Sequence, residues 1–142
     1  MIKIGIIGCG KIAQVRHIPE YLDNPDAELA GLYDLNLQRA EELAEKYHCK
    51  AYESIETMLA DPEIDAVSVC AANHVHAEIT VAALKAGKHV LCEKPMATKL
   101  KDCQMIRMGQ AIILTGIIVM ILPFGKTVSL IGFSLIGLGC AP

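Results

Sequence analysis

The residues with the clearest chemical potential lie near the start of the chain. Gly8-Cys9-Gly10-Lys11-Ile12-Ala13 follows the apolar run Ile2-Lys3-Ile4-Gly5-Ile6-Ile7, and a helix is expected from about Lys11. Gly8 permits a tight turn, Gly10 lets backbone approach a ligand, and Ala13 stands where a third small residue keeps helix and sheet close. Free N–H groups at the helix start then face an anion, here a pyrophosphate. An acid, Asp34, closes the next apolar run. At the end of the neighbouring strand, such a carboxylate accepts hydrogen bonds from the hydroxyls of an adenosine ribose. The plainer alternatives are a glycine turn that only joins strand to helix, and an aspartate that only caps one.

Asp34 repels a 2′-phosphate, so NAD is expected over NADP. Arg39 would admit NADP only by swinging back; otherwise it is a solvated helix residue. Two further groups fall at strand ends. Ala71-Ala72-Asn73-His74-Val75-His76 follows the apolar run 66–71, and Asn73 and His76 could reach a cofactor, orient the loop or cap a helix. His74 and His76 lack a carboxylate or thiolate nearby in sequence, so no metal site is expected. Cys92-Glu93-Lys94-Pro95 follows the run 89–92. Lys94 could polarise a substrate hydroxyl or donate a proton. Glu93 could tune that lysine or touch the nicotinamide ribose, and Pro95 would stiffen the loop. Without a family context these four residues also read as a charged turn.

The elements that must position these groups alternate. Strands are expected at 2–7, 29–33, 66–71 and 89–92. Helices are expected from about 11, where Pro19 bends or ends the helix, at 36–47, at 54–59 behind a Ser54 cap, at 77–86 before Gly87, and from Thr98 to about Arg107. On 36–47, Leu37, Ala40, Leu43, Ala44 and Tyr47 share one face. Alternating strands and helices imply an α/β fold with a doubly wound parallel sheet.

Composition bounds the rest. At 142 residues the chain suits one domain, and a net charge of −3 with mixed signs argues against a nucleic-acid partner. Six cysteines, none spaced Cys-x-x-Cys, fit a reducing compartment better than disulfides or zinc. The start, Met1-Ile2-Lys3-Ile4, runs directly into a strand, so no signal peptide is expected and the location expected for this part is cytoplasmic. Of the 13 basic and 16 acidic residues, only Lys126 lies beyond residue 107. We therefore divide the chain into a dinucleotide-binding domain, 1–107, and an apolar tail, 108–142. The tail reads as a helical hairpin turning at Pro123-Phe124-Gly125-Lys126, with arms near the short limit of the roughly 20 apolar residues that span a bilayer. Gly132, Gly137 and Gly139 suit membrane helix packing. Lys99, Lys101 and Arg107 fit a cytoplasmic start. The alternative is that the tail completes the domain, with Ala111 to Leu114 as its next strand.

Gly8-Cys9-Gly10-Lys11-Ile12-Ala13, Asp34, Asn73 with His76, and Glu93-Lys94-Pro95, in this order and spacing, resemble the N-terminal Rossmann domain of the Gfo/Idh/MocA oxidoreductases over about residues 1–105. The resemblance implies hydride transfer between a nicotinamide and a sugar or polyol carbon bearing a hydroxyl. It implies Lys94 as the active-site lysine, with Glu93 and Pro95 shaping the nicotinamide end. Gly8, Gly10, Lys11 and Ile12 would line the pyrophosphate, Asp34 would hold the adenosine ribose, and Asn73 and His76 would flank the cofactor. Ala72 departs from the proline usual before the asparagine, which predicts a looser loop. The family's substrate domain is not expected within this length. Ile131 to Pro142 resembles a transmembrane segment of sugar transporters in the major facilitator superfamily. The reading is thus the NAD(P)-binding domain of such an oxidoreductase, incomplete without its substrate domain; a non-catalytic nucleotide-binding module on a membrane tail, or a chimeric or truncated product, are the alternatives.

Overall fold

Apolar runs too short for helices become the strands of one sheet. The structure, a computed structural model, describes residues 1–98. The strands are β1 (Ile2–Ile7), β2 (Ala27–Tyr33), β3 (Lys50–Ala51), β4 (Ala66–Val69) and β5 (His89–Cys92). Every pairing is parallel, and the order is β3-β2-β1-β4-β5. This is the half-sheet arrangement of doubly wound dinucleotide-binding folds, with the first strand central. Successive residues of a strand face opposite ways. Ile6 therefore joins Ala13, Ile18, Leu29, Leu32 and Ala44 on one side, and Ile7 joins Met58, Ile64, Val67, Val69 and Ile79 on the other. Residues Ile4 to Ile7 of β1 are buried on both faces of the sheet, which explains the apolar reading of that part of the strand.

The helices confirm the local signals. Asn36 caps α1 (Leu37–Tyr47), its Oδ1 accepting from Arg39 N–H at 3.3 Å. On this helix Ala40 and Ala44 are buried, whereas Leu37 is exposed. Ser54 caps α2 (Ile55–Ala60), its Oγ accepting from Thr57 N–H at 3.1 Å. α3 (His76–Lys85) ends at Gly87, whose positive φ of 75° suits a residue that turns the chain out of a helix. Of the two outcomes expected at Pro19, a bend or an end, the end does not occur. Helix continues from Lys11 to Leu22 through the proline, because residues Ala13–His17 form a π-helical turn. Ile18 N–H there reaches back five residues to Ala13 O. The wider turn makes room for a ring that would crowd an α-helical carbonyl.

Beside β3, Asp61 gathers Lys50 Nζ (2.7 Å) and Tyr52 OH (2.8 Å) on one oxygen and Glu63 N–H (2.9 Å) on the other. The Lys50 ammonium first, then the Glu63 N–H and Tyr52, hold its carboxyl well below the usual range. A carboxyl depressed by folding stabilises the fold at pH values above its ordinary pKa, and loses that contribution as pH falls through the folded value. Thermal midpoints measured against pH should thus fall more steeply for the parent than for Asp61→Asn below about pH 4. Parallel curves would remove this contribution.

The expected helix from Thr98 to Arg107 (beyond Thr98 itself), the strand at Ala111–Leu114, and the apolar hairpin of 108–142 lie outside the described residues. Among the described residues no helix is long and apolar enough to cross a membrane.

Candidate functional site

β1 ends against the glycine loop. Gly8 takes φ +98°, donates its N–H to Tyr33 O at 2.8 Å, and lies so close to the end of β4 that a Cβ would sit 2.6 Å from Ala71 N. Gly10 is the opposite case, since a Cβ built there meets nothing within 4 Å. The helix starts at the next residue, with Lys11 and Ile12 exposed and Ala13 fully buried against the sheet. Open space over Gly10, backed by free N–H groups at a helix start, fits a pyrophosphate. Cys9 between the glycines points inward. Burial first, and the charge of Asp34 second, push its thiol up to about 12, so it packs as a small hydrophobe.

Asp34 follows β2 and reaches that same loop. Its Oδ2 accepts from Cys9 N–H at 2.8 Å, and its Oδ1 accepts from Asn36 N–H at 2.9 Å. The acid and the anion cradle therefore share one mouth. Arg39 is not simply a solvated helix residue, because its guanidinium lies 3.4 Å from Asp34 Oδ1. An ion pair this exposed adds little stability, but it sets a cation beside the carboxylate.

The loop after β4 turns as a 3-10 segment, Asn73–Val75, leaving Asn73 exposed. Ala72 takes φ −67° and ψ 141°, a backbone that proline would also adopt, so the missing ring does not alter the path. His76, which the sequence offers as a cofactor-facing or loop-orienting residue, is buried. It is 1% exposed, and its ring nitrogens lie 2.8 Å from Ala71 O and 2.8 Å from Pro95 O. It fastens two loops to each other, as the first residue of a helix that tucks beneath them.

Glu93 leaves β5 with its N–H on Val69 O (3.0 Å). Its Oε1 accepts from His17 Nε2–H at 2.8 Å, and its Oε2 accepts from the backbone N–H of Lys94 at 3.2 Å. The His17 contact first, and that N–H second, lower its pKa, so the side chain is a carboxylate. Lys94 and Pro95 are exposed, and the bond between them is cis. His17 escapes a reading of the sequence, because nothing local marks a pairing across 76 positions. Among the described residues no three His, Cys, Asp or Glu side chains gather as a metal site.

The family model for the GFO_IDH_MocA oxidoreductases, described by an NAD-binding Rossmann fold, matches residues 2–119. The chain belongs to this family. The match runs past residue 107 into the apolar segment. Among Gfo/Idh/MocA relatives, the D-glucoside 3-dehydrogenase of Escherichia coli (strain K12) is 41% identical over 97 residues, covering 68% of this chain and 28% of that protein. The myo-inositol 2-dehydrogenase of Thermotoga maritima is 39% identical over 101 residues, covering 70% and 30%. KijD10, a 3-ketoreductase from Actinomadura kijaniata solved with TDP-benzene and NADP, superposes with a TM-score of 0.68 at 34% identity, covering 72% of this chain and 33% of that one. The chain spans about a third of the length of the curated relatives it matches.

Proposed function

We propose that this Gfo/Idh/MocA domain binds NAD across the mouth formed by Gly8, Gly10, Lys11, Ile12 and Asp34, and presents Lys94 for hydride transfer at a sugar or polyol hydroxyl. The observation that carries the reading is the 2.8 Å contact between Asp34 Oδ2 and Cys9 N–H, which joins the acid to the glycine loop. The N–H groups at the helix start take the phosphates, and Asp34 takes the ribose hydroxyls in exchange for part of its present engagement with Arg39. The bound nicotinamide accepts or supplies the hydride. As the carbinol carbon is oxidised, its hydroxyl proton passes to the Lys94 amine, and in the reverse direction Lys94 returns that proton to the carbonyl oxygen. Asn73 and Pro95 flank the nicotinamide end, with His76 holding their loops and Glu93 fixing the backbone of Lys94. The names of the E. coli and T. maritima relatives support sugars and polyols as the substrate class.

Asp34 favours NAD, and Arg39 offers a 2′-phosphate a counter-charge if it turns from the carboxylate. Fluorescence titration of the full chain with NADH and NADPH tests both points. NADH should bind more tightly. Arg39→Ala should weaken NADPH by roughly tenfold, the scale of one charge-assisted contact, and leave NADH nearly unchanged. A parent chain that saturates with neither nucleotide would sink the site. Equal NADPH affinity in parent and variant would sink only the role of Arg39.

A further inference from the structure

The geometry points to His17 as a positioning residue that ties the phosphate-binding helix to the Glu93-Lys94-Pro95 loop, an inference that rests on the proposed cofactor site. His17 stands on the π-helical turn Ala13–His17, in the same helix whose start faces the pyrophosphate mouth. It is buried at 5% exposure, and its Nε2–H donates to Glu93 Oε1 at 2.8 Å. The second oxygen of Glu93 takes the backbone N–H of Lys94. One carboxylate thus connects the helix to the residue that would present the amine.

Stability alone does not account for this pair. Burying the imidazole of His17 is costly although Glu93 keeps some contact with solvent, and an apolar residue of similar size often serves a fold as well or better. The cost is compounded here, because His17 Nδ1 is buried without a hydrogen-bond partner among the described residues. π-Turns are rare and recur at functional sites. This one ends on His17, whose Nε2 lies 2.8 Å from Glu93 Oε1. What the pair provides is a fixed distance between the two halves of a cofactor site, as preorganisation requires.

The test separates the two ends of the nucleotide. ADP probes only the glycine loop and Asp34, whereas NADH also probes the nicotinamide end. In the full chain, His17→Leu should leave ADP affinity within about twofold and weaken NADH roughly tenfold, the loss of one hydrogen bond to a charged group. His17→Gln, which keeps a donor, should recover part of that loss. Carbon-13 titration of Glu93, faced by His17 with Arg16 nearby, gives a readout without nucleotide. Its pKa should rise in His17→Leu toward the ordinary glutamate value. Parallel loss of ADP and NADH affinity in both variants, or an unmoved Glu93 titration, would overturn the positioning role. A parent that binds neither nucleotide but shows the Glu93 shift would overturn the site reading, and with it the role given to His17.

Discussion

A chain carrying Gly10→Val is expected to fold like the parent and to bind NADH at least about a hundredfold more weakly, the equivalent of removing two charge-assisted hydrogen bonds. The reasoning starts from empty space. A Cβ at Gly10 meets no atom within 4 Å, so a side chain costs the fold little beyond the modest strand-versus-loop preferences of valine. That same space is where phosphate oxygens must approach the N–H groups at the helix start. A branched side chain projecting there holds them off. Thermal midpoint and NADH titration, measured on one preparation, check both halves of the claim. Undiminished NADH affinity in a well-folded Gly10→Val chain would mean that the nucleotide does not pass over this glycine.

Gly8→Ala should do the reverse, lowering stability first and binding only as a consequence. Its φ of +98° lies in territory that L side chains rarely adopt, at a cost of about 1–2 kcal/mol. The added methyl would also sit 2.6 Å from Ala71 N and 2.7 Å from Cys70 C. These are backbone atoms at the end of a central strand, with no flexible side chain to move aside. Together the two effects suggest roughly 3 kcal/mol, a large value for one methyl and one tied to a named clash. For a domain of this size that corresponds to a thermal midpoint lower by roughly 10 °C or more. Denaturant melts of Gly8→Ala and Gly10→Ala, compared side by side, give the measurement. If Gly8→Ala melted with the parent, the close packing of this loop on β4 would be wrong.

The two glycines also show what a sequence can and cannot disclose. That both belong to a phosphate loop follows from a short apolar run, two glycines and an acid after the next run. Which one carries the fold and which one faces the ligand does not, since that depends on where β4 lies. The central strands and the cap at Ser54 are readable because each is a local pattern. β3 is invisible at that level because two residues, Lys50 and Ala51, form no pattern at all. The helix passes through Pro19 without ending, and the π-turn before the ring leaves no compositional trace. The spacing of His76 suggests a place in this loop, but that its ring lies between Ala71 O and Pro95 O depends on where the Pro95 loop lies. Arg39 and His17 illustrate the same limit. Their partners, Asp34 and Glu93, both stand out in the sequence, but the pairings depend on side-chain direction and on a long chain crossing.

The parallel order of the sheet has a consequence for biosynthesis. The proposed nucleotide mouth draws on residues 8–10, on Tyr33 and Asp34, and on the backbone at Cys70 and Ala71, where Cys70 N–H donates to Ile7 O. A ribosome-bound chain that has exposed only its glycine loop has no rigid seat for a phosphate, because the wall behind Gly8 is still to be made. Nucleotide capture thus waits for the fourth strand to insert beside the first. Until then the newborn chain must keep the open edge of β1, paired only with β2, out of trouble, which is the slow interval typical of folds built from distant pairings.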